Sequence, residues 1–111
     1  MNEGNVVIAL FPQADGSIKN RPALILREMP PFKDFLICGI STQLRQKVEN
    51  FDEIISSADS DFVQSGLISK SLFRLGFLVT VPSNRIGGVI GSISAERRKR
   101  LMQNLSGYLN Q

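Results

Sequence analysis

The stretch "IKNRPALILRE", residues 18–28, decides the reading of this chain. Its centre, Ala23 to Leu26, is an apolar run suited to a buried strand, yet an arginine and a proline stand at its mouth. Proline lacks a backbone donor and fixes φ, so Pro22 belongs at the first position of a strand or on an edge, and a strand is predicted to begin near Arg21. Upstream, Val6 to Phe11 is a β-branched and aromatic run that ends in the turn-rich "PQADGSIKN", a strand followed by a loop. Downstream, "MPP" at 29–31 breaks the second strand. "DFLICGIS", Asp34 to Ser41, is apolar enough throughout to be a third strand buried on both faces, with Gly39 marking a bend or bulge.

Farther along, "TQLRQKVENFDEIISSADSDFVQSG", residues 42–66, is polar and acid-rich; only "EII" reads as a brief strand, and the rest is expected to be loop. "GLISKSLFRLGFLVTVP", residues 66–82, returns to dense β-formers but exceeds the usual strand of about five or six residues. Two strands with a break at Ser69 to Ser71 or at Gly76 are predicted. "RIGGVIGSIS" is too rich in glycine for a helix and reads as a short, sharply bent strand. The period then changes: Leu101, Met102, Leu105, Tyr108 and Leu109 fall on one helical face, with Ser94 as N-cap and Glu96 in the first turn. The chain is therefore expected to be mainly β (α+β), a small barrel or strongly bent antiparallel sheet capped by a C-terminal helix.

With 111 residues, 42% of them hydrophobic, the chain suits one domain over residues 1–111 with one core. The lone Cys38 has no partner for an internal bridge and lies in an apolar strand, as a small core residue would. The absence of histidine leaves no nitrogen and sulfur cage for a metal, so no metal and no cofactor is expected. The opening "MNEGNVVIALF" carries Glu3 where a signal peptide would carry lysines, and no apolar run approaches the roughly 18 to 20 residues of a membrane span. A cytoplasmic protein is expected. A net charge of +3 is a mild hint of a polyanionic partner.

Two arginines sit inside strands, Arg21 and, in "SLFRLGF", Arg74. Taken singly, each reads best as an outward-facing side chain, snorkelling or paired with an acid such as Asp15 or Asp34. Taken with the hydroxyls of Ser41 and Thr42 in "ISTQ", they also suit a phosphate site, because guanidinium forks onto two phosphate oxygens and a hydroxyl adds one more hydrogen bond. The run "ERRKR", residues 96–100, reads as a solvated helix face. Among seven phenylalanines, Phe32 and Phe35, beside the double proline, are the candidates for stacking on bases.

"GNVVIALFPQADGSIKNRPALIL", then "ICGISTQ", then "GLISKSLFRLGFLVTV", then a bent glycine-rich strand and a terminal helix resemble, in that order, the MazF/PemK family of toxin-antitoxin ribonucleases. The resemblance implies an SH3-like β-barrel, a homodimer, growth inhibition by metal-independent, sequence-specific cleavage of single-stranded RNA, and a partner antitoxin whose acidic tail occupies the RNA groove. It further implies that Arg21 binds and activates the scissile phosphate, that Ser41 with Thr42 beside it supplies the hydroxyl, and that Arg74 is the acid or the transition-state clamp. Lys19, Thr42, Gln43 and Phe32 are the candidate RNA contacts. Three departures stand out: Gly76 where members with an acid-base pair carry aspartate, Ser17 where some carry histidine, and Gly4-Asn5 in place of "GD". Cleavage needs a base for the 2′-hydroxyl, and a guanidinium cannot serve as one. Asp15 is the candidate base; as a residue of the turn "ADGS" it equally suits bonding to its own backbone. Two rival readings follow: a catalytically weakened or inactive member that acts by binding RNA or antitoxin, and a poison of a protein target like the related gyrase-inhibiting toxins. The polar ending "YLNQ" and the lack of tryptophan place the last behind the others.

Overall fold

Apolar residues at successive positions, pointing alternately to opposite faces, build the central strands. The computed structural model describes residues 1–111. Its elements are β1 (Asn5–Pro12), β2 (Ile18–Met29), β3 (Asp34–Ser41), β4 (Glu53–Ile55), α1 (Phe62–Ser65), β5 (Ser71–Val81), β6 (Ile86–Ser92) and α2 (Ala95–Leu109). All strand pairings are antiparallel, and the sheet runs in the order β4-β5-β3-β2-β1-β6. The third strand has the bounds read from sequence. The second starts earlier, at Ile18, because Ile18, Lys19 and Asn20 pair with the end of β1. Pro22 therefore lies within a strand, opposite Ile8, but the β3 ladder reaches only to Ala23, so at Pro22 the strand has one neighbour and an edge.

Val6, Leu24, Leu26, Cys38 and Phe73 belong to a cluster on one face of the sheet, which α2 closes with Leu101 and Leu105. Val7, Ala9, Phe11, Ala23, Ile25 and Ile37 belong to a second cluster on the other face. Ser94 caps α2 as its sequence implies, its hydroxyl accepting from the Arg97 amide at 3.1 Å. Tyr108 and Leu109, placed by periodicity on the buried face, are exposed; the core ends at Leu105, and Tyr108 only tilts against Phe51.

The region expected to be loop contains β4, a 3-10 turn at Leu44–Gln46 and the four-residue α1. One turn of helix is too short to leave a periodic pattern. Gly66 ends it at φ +74°, and a Cβ there would collide with the Ile90 carbonyl of β6. Gly91 lies just as close to the Gln64 and Ser65 backbone. Through this contact α1, which follows one edge strand, rests on the other edge strand and curls the sheet into a half-barrel.

Of the two predicted breaks in residues 66–82, one sets where the strand begins and the other sets its register. Residues before Ser71 stay outside the sheet, and β5 then runs as a single strand. Its pairing with β3 slips between Gly39↔Arg74 and Cys38↔Leu78, leaving Leu75, Gly76 and Phe77 unpaired on that side as a bulge. No helix is long and apolar enough to cross a membrane.

Candidate functional site

Register decides which side chains share a face. Ala23 pairs with Gly39 and Gly39 with Arg74, while Arg21 lies two residues before Ala23 and Ser41 two beyond Gly39. All of them face the side of the second cluster, at the end of the strands where Phe11 closes it. There a cavity of about 430 Å³ is lined by Arg21, Ser41, Thr42, Gln43, Arg74 and Phe77, among others. The two arginines and the "STQ" segment, far apart in sequence, thus meet in space.

Neither guanidinium has a carboxylate within 4.0 Å, because every ion pair of the molecule involves other cations. Arg21 instead donates to the Gln13 side-chain oxygen at 3.3 Å. Arg74 lies 5.9 Å over the Phe77 ring, which meets Phe11 edge-on at 5.5 Å. Phe77 reaches this place because the bulge swings it over Gly39, where a Cβ would come within 3.1 Å of the ring. The Ser41 hydroxyl accepts from the Gln43 amide at 3.0 Å, which leaves its O–H free to donate into the cavity. No Asp, Glu, Lys or His lines the cavity. Two guanidiniums and a hydroxyl have the chemistry to hold the oxygens of a phosphate group.

The remaining sequence candidates lie outside this cavity. Lys19, exposed, stands two residues before Arg21 on the same face of β2 and extends the positive surface. Phe32 is 82% exposed in the β2–β3 turn, and Phe35 is buried in the second cluster. Asp15 is exposed in the β1–β2 turn, where its Oδ1 accepts from the Ser17 hydroxyl and amide at 2.6 and 2.9 Å. Those bonds hold its carboxyl below the ordinary value. Sequence reasoning missed Phe77 and Gln13 as cavity residues; the bulge that presents the first and the turn that presents the second are tertiary features. Burial pushes the Cys38 thiol up to about 12, with the charge of Asp52 adding to the effect, so it has no nucleophilic role.

Gly76 belongs to a different groove, of about 900 Å³, on the α2 side, lined by residues including Val48, Phe51, Leu75, Leu78 and Tyr108. A Cβ at position 76 would have nothing within 4 Å, so space does not require glycine there. No group of three His, Cys, Asp or Glu residues is arranged to hold a metal ion.

The family model described as PemK-like, MazF-like toxin of type II toxin-antitoxin system matches residues 2–109. Among solved structures, the Mycobacterium tuberculosis toxin MazF-mt6 is similar in fold, with a TM-score of 0.68 at 24% identity over 96% of each chain. No curated protein matches the chain by sequence.

Proposed function

Because this chain belongs to the PemK-like, MazF-like toxins of type II toxin-antitoxin systems, we propose that it is an endoribonuclease that cleaves single-stranded RNA in the Arg21 and Arg74 cavity without a metal ion. The observation that carries this reading is the pair of guanidiniums that share one cavity with the Ser41 and Thr42 hydroxyls and have no carboxylate partner. In the reaction the 2′-oxygen loses its proton and attacks phosphorus, and the P–O5′ bond breaks as the 5′-oxygen takes up a proton. The products are a 2′,3′-cyclic phosphate and a 5′-hydroxyl. Arg21 and Arg74 would hold the two non-bridging oxygens as the phosphorane gains negative charge, with the Ser41 O–H as a further donor. Thr42, Gln43 and Lys19 would contact the backbone of the strand, and the Phe77 ring would brace the Arg74 guanidinium.

Proton transfer is the weaker half of this chemistry. The lining holds no carboxylate or imidazole, and Asp15, the candidate base, is held as a weakly basic anion by Ser17. That observation favours, as a second reading, a member that binds RNA or antitoxin and cleaves slowly or not at all. In either case we assign the cognate antitoxin an acidic segment that competes with RNA for the two arginines, and we expect the protein to act as a homodimer in the cytoplasm.

The test is incubation of the purified protein, with chelator and without antitoxin, with a long single-stranded RNA, beside Arg21→Ala and Arg74→Ala, followed by mapping of all new ends. Site-specific cuts leaving 5′-hydroxyls are expected, with each variant slower by on the order of 10²- to 10³-fold, as for loss of one donor to a developing anion. Cleavage unchanged in Arg21→Ala would remove the site assignment. Intact RNA that still binds the folded protein would select the second reading.

A further inference from the structure

We infer that Asp52 is the positioning residue of the arginine cavity: from the opposite side of the sheet it fixes the bulge that presents Arg74 and Phe77. The inference rests on the ribonuclease reading for its kinetic consequence, and on geometry alone for its structural one. Asp52 is 6% exposed and forms no ion pair. A buried carboxylate without a cation is costly unless backbone donors satisfy it. Here its Oδ2 accepts from the Val48 amide and its Oδ1 from the Leu75 amide, both at 2.9 Å.

Leu75 is the residue at which β5 loses both neighbours. On one side the β4 ladder ends at Glu53↔Phe73, and on the other the β3 pairing stops at Gly39↔Arg74, to resume only at Leu78. The Asp52 carboxylate, just before Glu53, the first residue of β4, accepts the amide that a longer β4 would have taken. Without it a buried donor would stand unsatisfied, and the strand would relax either by sliding into regular register with β3 or by turning its amide towards water. Both movements displace the residues on either side. Arg74 immediately precedes Leu75, and Phe77, whose ring lies under Arg74 and over Gly39, is two residues further on. The rest of the bulge has no comparable anchor, since Gly76 has no side chain and Phe77 is held by ring contacts.

The experiment compares wild type with Asp52→Ala and Asp52→Asn, the latter keeping one acceptor oxygen, and with Ser94→Ala as a control that weakens the fold elsewhere. Single-turnover cleavage at saturating RNA, affinity for an uncleavable 2′-O-methyl oligoribonucleotide, and backbone amide spectra with hydrogen exchange are measured on each. In wild type the Leu75 amide should exchange slowly. In Asp52→Ala the rate should fall by on the order of 10- to 100-fold, the loss typical of a misplaced catalytic group. The amides of residues 74–77 should shift while those of β1 and β2 stay in place. Asp52→Asn should recover part of the rate, and Ser94→Ala should keep it at temperatures where it is folded. A fast-exchanging Leu75 amide in wild type would overturn the inference, as would a rate loss in Asp52→Ala no larger than its unfolded fraction, or unshifted amides at 74–77. If Asp52→Ala does not fold, Asp52→Asn and the wild-type exchange decide. Failure of wild type to cleave or bind RNA would defeat the ribonuclease reading, and the amide data would still decide the role of Asp52.

Discussion

Arg97 lies in a run of cations, and the burial of its guanidinium sets it apart from them. The side chain is 5% exposed and reaches Asp61 at 2.8 Å, Glu53 at 2.9 Å and Asp59 at 3.4 Å. Removing one member of a buried pair leaves the other charge uncompensated, so Arg97→Met should cost about 3–5 kcal/mol, a large share of a typical domain stability of about 5–15 kcal/mol. Denaturant unfolding checks this. The same cluster sets an acid limit. Burial works to raise the Asp61 carboxyl, but hydrogen bonds from Arg97 and from the Ser94 amide outweigh it and hold it below its ordinary value of 3.8. A depressed carboxyl stabilises the fold fully above 3.8 and loses that contribution as pH falls through the lower folded value. Asp61→Asn should therefore flatten the loss of stability measured below that pH. None of this was legible in "ERRKR", which resembles any solvated face, because the three acids that meet Arg97 lie between 36 and 44 residues away. Arg21 and Arg74 were legible as oddities, a charge at or in an apolar strand, but only the pairing of Ala23, Gly39 and Arg74 brings them to one face.

Among the elements, α2 and β5 contrast in what their sequences disclosed. Capping is local, so Ser94 could be read directly, and Ser94→Ala should lower stability by about 1 kcal/mol, or a melting temperature by roughly 4 °C. A thermal melt of the two proteins tests it. Burial along the helix is set by its neighbours instead, which is why periodicity carried the apolar face on to Tyr108 and Leu109 although the sheet beneath ends sooner. In β5 the length of the apolar run disclosed that something must break, and Gly76 marked where. The form of the break, a bulge and not a boundary between two strands, depends on β3 opposite and on a carboxylate from outside the strand. Helix α1, held by its contact with β6, left no sequence signal of its own.

At the scale of the whole molecule, the net charge of +3 is modest, and the two arginines of the cavity have no acid beside them. On the proposed reading Arg21 and Arg74 share one phosphate, whose neutralisation gives a slope of log affinity against log salt of about −0.7 for single-stranded RNA. A steeper slope in a titration with uncleavable RNA would reveal further backbone contacts, with Lys19 the first to replace. The half-barrel was legible as a class because strand lengths and a change of period are local, whereas the closing contact of α1 on β6 is not. The fold also depends on sequence order. Leu101 and Leu105 complete the first core cluster, and Arg97 pairs with three acids that precede it. While the ribosome is still making residues 95–109, one sheet face lies bare and the acids repel one another. The cavity residues all precede α2 in the chain but are fixed in place only once α2 has emerged to complete the core, so the site is withheld from the nascent chain.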